Sequence, residues 1–256
     1  MSAANGLIHY QAFQPGAALR PYVHCYWQMR ALGNGGADYT HHLVADGSVD
    51  LIFDLTGRDQ ALLSVTGDRA SDLVLGRDFH YFGIRFFPAC IHCFFNLTLA
   101  ELTGQTVLAE DPVGSAFRAF EAEAGVDELV AKPITAVETA LLARLHQRNT
   151  AVDGRFLQSL HRILTTSGNA AIQAEVAHSI SARQMRRLFE HYTGLSPKLF
   201  SRVTRFQHTL AAMQQAPRKG WSQLFYDYGY YDQAHFIREF KVFHGETPGR
   251  IYFSNP

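Results

Sequence analysis

Two groups of residues have the types and spacing to do chemistry, and they lie in opposite halves of the chain. In the second half, Arg183, Gln184, Arg186 and Arg187 fall in one short run, and Gln233, His235 and Arg238 in another. Guanidinium and amide groups form paired hydrogen bonds that match guanine and adenine edges, at about 1–3 kcal/mol of discrimination per good pair. Lys198, Arg202, Lys241 and Arg250 are scattered cations better suited to phosphates, where they fix register without reading sequence. In the first half, Cys90-Ile91-His92-Cys93 sets an imidazole between two thiols, with Cys25, His24, His41, His42 and His80 elsewhere. Such a set could hold a soft metal or respond to oxidants. A full zinc site wants four ligands at known spacings, and residues 86–95 are apolar enough for these cysteines to be small core residues. His41-His42 lacks a carboxylate and third histidine at metal-site spacing and reads as surface or packing.

The cationic runs need an element to present them. Two stretches repeat one pattern: Ser181-ARQMRRLFEHYTGLSP-Lys198 and Asp232-QAHFIREFKVFHGETP-Gly249. Each opens on an N-cap residue, and Ser181 with Gln184 makes a capping-box pair. Each then sets apolar residues on one face: Met185, Leu188 and Phe189, then Phe236, Ile237 and Phe240. Each ends in Gly-x-Ser/Thr-Pro, where glycine stops one helix and proline starts the next. A short helix precedes each repeat, Ala171-IQAEVAHS-Ile180 and Trp221-SQLFYDYGY-Tyr231, with Gly229 turning the second. Helix, tight turn and second helix form the helix-turn-helix arrangement, whose second helix fits the major groove. Between the repeats, Leu199, Val203, Phe206, Leu210 and Met213 make one apolar stripe on a long helix over 197–215. Two reading helices held by it would meet DNA about one turn, roughly 34 Å, apart.

From about residue 155 to 253 the chain resembles the DNA-binding region of the AraC/XylS transcription regulators, most strongly in Gly194-LSPKLFSRVTRFQ-His208 and Gly229-YYDQAHFIREFKVFHGETP-Gly249. The resemblance implies a bacterial regulator, often an activator, with an operator in double-stranded DNA and RNA polymerase as partners. It also implies a companion domain that binds a small effector or dimerises. Two departures stand out. Phe225 occupies a place where the family usually has a small alanine, and the run from Ala174 to Ser181 is irregular in length, with Ser179 where a turn glycine is expected.

The companion is read as residues 1–149 and the DNA-binding part as 150–256, with helix-turn-helix units near 171–193 and 221–243. Strands are expected over 22–30, 48–55 and 79–87 from their aromatic and alternating patterns, with a hairpin signal at Asp46-Gly47. The segments Leu19-RPYVHCYW-Gln28, His41-HLVADGSVDLIFDL-Thr56 and Phe82-GIRFFPACIHCFF-Asn96 resemble, more loosely, the β-rich companions of some family members. The fold class is α+β: a β-rich barrel or sandwich with short helices, then an all-α domain. Tyr22, Tyr26, Trp27, Phe53, Tyr81 and Phe82 could line an apolar effector pocket or form core. Val137, Leu141, Leu142 and Leu145 form a stripe that could pair two copies as a homodimer or pack on its own domain.

Whole-chain properties agree. The chain has 256 residues, 47% hydrophobic and 18% charged, enough for a substantial core. Net charge is zero, but residues 1–150 carry 10 Lys and Arg against 16 Asp and Glu, and residues 151–256 carry 13 against 7. The basic half suits a polyanion. Three cysteines fit a reducing cytoplasm better than a disulfide framework. There is no membrane-length apolar run, Gly-rich phosphate loop or nucleophile elbow, so an enzyme is not expected and no cofactor is. The alternatives are a metal- or thiol-responsive regulator using Cys90 and Cys93 and, more remotely, an alkyl-accepting enzyme acting on DNA.

Overall fold

The computed structural model describes residues 8–33, 38–57, 62–65, 67–104, 106–108, 114–147, 152–169, 180–215 and 221–253. Its first half is an open β-sandwich backed by helices. Strands β1 (Ile8–Phe13), β2 (Val23–Ala31), β4 (Val49–Asp54), β5 (Leu62–Val65), β7 (His80–Phe86) and β8 (Thr106–Leu108) form an antiparallel sheet in the order β1-β2-β7-β4-β5-β8. Strands β3 (Tyr39–Leu43) and β6 (Ser71–Gly76) pair only with each other, as a two-stranded ribbon.

The large sheet is apolar on both faces, and the alternation of strand side chains decides what goes where. Tyr26, Leu51, Phe53, Phe82, Ile84 and Phe86 join the main core. There they meet Phe117 and Phe120 of helix α1 (Ser115–Ala124), Leu129 of α2 (Val126–Ala131), and Val137 and Leu141 of α3 (Pro133–Gln147). The α3 stripe therefore packs on its own domain, with Val137 and Leu141 fully buried and Leu142 and Leu145 against the same core. Cys25, Trp27, Met29 and Ile52 point the other way, into a smaller cluster with Phe79 under the ribbon. A register shift between Val23 and Cys25 lets Val23 and Tyr26 share a face.

The three expected strands are present as β2, β4 and β7. The hairpin expected at Asp46-Gly47 is not. The turn is real: the Asp46 carboxylate accepts from the Ser48 N–H at 2.8 Å, and Gly47 has φ +68°. It joins β3 to β4, which belong to different sheets. A local turn signal sets chain direction but not the partner of the following strand.

The second half is helical: α4 (Gly154–Thr165), α5 (Ala182–Thr193), α6 (Pro197–Gln215), α7 (Trp221–Asp227), α8 (Gln233–His244) and α9 (Pro248–Phe253). Val203, Phe206 and Met213 of α6 are buried in the centre of this domain, with Phe156, Phe189, Phe236, Phe240 and Phe243 around them. The irregular segment from Ala174 to Ser179 lies outside the described residues. No helix among the described residues is long and apolar enough to cross a membrane.

Candidate nucleic-acid interface and the N-terminal cavity

Helix α5 starts at Ser181, whose hydroxyl accepts from the Gln184 N–H at 3.2 Å while the Gln184 side chain accepts from the Ser181 N–H at 3.1 Å. The capping box is therefore formed, and it holds the carbonyl of Gln184, a residue also expected to face bases. Met185 and Phe189 are buried, and Arg183, Arg186 and Arg187 are exposed. Arg186 pairs with Glu190 one turn on, at 2.7 Å. That exposed pair is weak enough for a phosphate or base to displace.

Helix α8 starts at Asp232, whose carboxylate accepts from the His235 N–H at 2.6 Å. Phe236, Phe240 and Phe243 are buried, and Gln233, Arg238 and Lys241 are exposed. His235 is half-buried, its ring edge-on to Tyr230 at 5.5 Å and its Nδ1 accepting from the Tyr231 N–H at 3.4 Å. That leaves Nε2–H as its donor, 3.8 Å from the Glu239 carboxylate. The bulky Phe225 of α7 fits by stacking face to face on Phe236, with centroids 3.9 Å apart. Tyr231, just before the N-cap, is 86% exposed. Its sequence signal is an aromatic residue directly preceding a capping aspartate.

The two parts of the helical domain are joined by a buried charge. Glu239 is 4% exposed and receives Arg205 at 2.9 Å and Arg202 in closer contact, both from α6. The two guanidinium groups also cover the rings of Tyr230 and Phe243, at 4.7 and 5.3 Å. Arg202, expected at phosphate, is thus engaged inside the domain. The sequence signal was an acid within the apolar stripe Phe236, Phe240 and Phe243, which calls for a cationic partner. Lys198 is exposed, and Arg250 is exposed with Glu246 at 3.2 Å.

Helices α5 and α8 both end against the N-terminal domain. At α5, His92 Nε2 lies 3.2 Å from the Tyr192 carbonyl, and the Thr103 hydroxyl donates to the Gly194 carbonyl at 2.9 Å. At α8, the N–H groups of Ala70 and Ala45 donate to the carbonyls of Val242 and Phe243 at 3.0 and 2.9 Å. His42 Nε2 lies 2.5 Å from the carbonyl of His244. The glycines that stop these helices have a second constraint. A Cβ on Gly194 would lie 2.1 Å from Thr103 Oγ1, and one on Gly245 2.8 Å from His42 Cε1.

Between the ribbon and the large sheet lies a cavity lined mainly by Tyr10, Trp27, Met29, Leu43, Leu73 and Leu75. Asp50, His41, Ser64, Tyr81 and Arg85 add polar atoms. Asp50 is 5% exposed, accepts from Trp27 Nε1 at 2.9 Å, and holds Arg85 with two bonds at 3.0 Å. Of the expected pocket residues, Trp27 and Tyr81 line this cavity. Tyr26, Phe53 and Phe82 lie on the opposite face in the main core, and Tyr22 packs edge-on to Phe94 at 5.7 Å. Adjacent strand residues face opposite ways, so one run of aromatics cannot line one pocket.

Cys90 and Cys93 stay neighbours on one short turn, and the rest of the cysteine and histidine set is dispersed. Cys25 lies in the cluster under the ribbon, Cys93 packs on the main core, and His92 reaches toward α5. His24 packs edge-on to Phe87 at 5.3 Å. Among the described residues no group of three His, Cys, Asp or Glu is placed to hold a metal. Burial, then the neighbouring Cys93, pushes the Cys90 thiol up to about 12, and burial raises Cys25. Both effects disfavour the thiolate that metal binding, oxidation or alkyl transfer requires.

Residues 176–252 match the family described as a helix-turn-helix domain. The match covers less than half of the chain and identifies this part as a helix-turn-helix domain, the class that the two capped helices α5 and α8 also define. Residues 11–108 match a family described as a domain of unknown function, DUF6597. No curated protein matches the chain. Among solved structures, ToxT from Vibrio cholerae O395 is 13% identical, over 84% of this chain and 88% of that one, at a TM-score of 0.40. A second crystal form of Vibrio cholerae ToxT is 10% identical over 96% and 98%, at 0.43. Unsaturated fatty acid-bound ToxT from strain SCE256 is 12% identical over 99% and 97%, at 0.40.

Proposed function

We propose that the protein is a one-component regulator, in which residues 150–256 read an operator and residues 1–149 respond to a small effector. The observation that carries this reading is the orientation of the two reading helices. Their N-terminal halves carry the exposed Arg183, Arg187, Gln233 and Arg238, while their C-terminal ends are docked on the N-terminal domain. A change in that domain is thereby placed against both helices at once. Base contacts are assigned to Arg183, Arg186, Arg187, Gln233 and Arg238, and phosphate contacts to Lys198, Lys241 and Arg250.

Selection of duplexes from a random pool by the full-length protein tests the reading. A recovered motif with two half-sites about 10 base pairs apart supports it. Failure to enrich any sequence, with binding that depends only on salt, refutes it.

A further inference from the structure

The last carbonyls of an α-helix have no donors within the helix. At the end of α8, three consecutive carbonyls, Val242, Phe243 and His244, receive theirs from one end of the β3–β6 ribbon, through Ala70, Ala45 and His42. His42 Nδ1 meets the Asp72 carboxylate at 2.6 Å. A carboxylate and a carbonyl both only accept, so the ring satisfies both by carrying both protons. An imidazolium at a helix C-terminus is also favoured by the helix dipole. The ribbon therefore supplies the C-cap of the second reading helix.

The same ribbon forms one wall of the cavity. His41, Leu43, Leu73 and Leu75 face inward, beside His42 and Asp72, which belong to the cap. The space open to the centres of water molecules is about 60 Å³, against roughly 150 Å³ for an engineered apolar cavity that accepts benzene. A ring-sized ligand must push the walls apart. One wall is a six-stranded sheet packed on α1, α2 and α3. The other is a two-stranded ribbon, which is marginal on its own, so the ribbon gives way.

We propose that this cavity is the effector site, that it takes a small, flat, uncharged ligand with mainly apolar surface, and that its occupancy is transmitted by displacement of the ribbon from the end of α8. The ligand class follows from the walls. Tyr10, Trp27, Met29, Leu43, Leu73 and Leu75 offer apolar and aromatic surface. Among the lining residues Asp50 and Arg85 pair with one another, and Arg85 also meets Asp46, outside the lining, at 3.5 Å, so no lining charge is left without an opposite partner for a charged ligand to fill. The inference rests on the regulator reading above, yet its test needs no operator.

The probe is N-phenyl-1-naphthylamine, an uncharged aromatic amine that fluoresces in apolar sites, added to the full-length protein. Amide exchange of Ala45 and Ala70 reports the cap. The expected result is saturable fluorescence, abolished by Leu75→Trp, and at least tenfold faster exchange at both amides on adding the probe. Leu75→Trp, or the milder Leu75→Phe if the first fails to fold, accelerates the same amides without probe. Val74→Trp, on the ribbon's exposed face, does neither. Coupling is reciprocal, so His42→Ala tightens probe binding severalfold. Unchanged exchange with both probe and the Leu75 variants overturns the relay. Absence of saturable fluorescence overturns the ligand class. Failure of the regulator reading appears separately, as no enriched duplex.

Discussion

Replacing Glu239 by glutamine tests whether α6 and α8 are held in one geometry by a buried charge. The substitution keeps the shape and removes the negative charge shared by Arg202 and Arg205. Breaking a buried ion pair from one side costs about 3–5 kcal/mol, because the remaining charge stays desolvated. The two arginines are not equally trapped. The Arg202 side chain is 37% exposed and can turn to water, whereas that of Arg205 is 14% exposed and lies over the Tyr230 ring. One stranded guanidinium rather than two places the expected cost near the lower end, about 3 kcal/mol. For a chain of this size that corresponds to roughly 6–12 °C in Tm. Thermal unfolding followed by circular dichroism measures it. The partner substitution Arg205→Met, combined with Glu239→Met, removes both charges and is expected to recover much of the loss, since apolar replacement of a whole buried pair is often neutral. A Glu239→Gln protein whose Tm falls by less than about 2 °C refutes the argument, because it means water already reaches the carboxylate.

Arg238→Ala is expected to weaken binding to a selected duplex by about 1–3 kcal/mol and to relax preference at one position. A uniform loss across duplex variants in the same titration reassigns Arg238 to phosphate. Gly194→Ala is expected to destabilise by more than the roughly 1–2 kcal/mol cost of left-handed backbone, since φ is +75° and the new Cβ would lie 2.1 Å from Thr103 Oγ1; Thr103→Ser leaves that clash and Thr103→Ala relieves it, so a denaturant titration of the double variants separates the two costs. Gly83→Ala places a Cβ 2.1 Å from the Trp27 ring, and the expected readout is a shift in tryptophan fluorescence with loss of probe binding.

The pH dependence has a defined sign. Burial lowers the His42 pKa, but the bonds to Asp72 and to the His244 carbonyl, with the charges of Asp72 and Glu246, outweigh it and raise the pKa above its ordinary 6.5. The cap is therefore complete below 6.5 and weakens as pH rises through the folded value. His244 and His41 have lowered values, from burial first, then from His42 for His244 and from Arg85 and His42 for His41. They oppose the folded state as pH falls below 6.5. Exchange at Ala45 and Ala70 is expected to accelerate above the His42 value in the native protein and to lose that step in His42→Ala; a step that persists in the variant refutes the assignment.

In the helical half, the sequence alone marked the ends of α5, α6 and α8, because the signals for them are local. N-caps at Ser181 and Asp232, stop glycines at 194 and 245, and an apolar stripe on one long helix each act within a few residues. It also determined three strands of the sandwich from their side-chain pattern. Tertiary structure decided what those local signals could not encode. Asp46-Gly47 turns the chain, but only the assembled sheets show that β3 and β4 part company there. Tyr26 and Trp27, and His41 and His42, are neighbours in sequence that face opposite ways, so core, cavity and cap separate only once the strands are placed. Cys90 and Cys93 stay neighbours on one short turn, but Cys25 faces the ribbon and His92 faces α5, so no three of the set meet among the described residues. Gly194 and Gly245 read as helix stops from sequence. The fold adds a second reason for them, the close approach of the N-terminal domain to the ends of both reading helices, a contact between residues far apart along the chain.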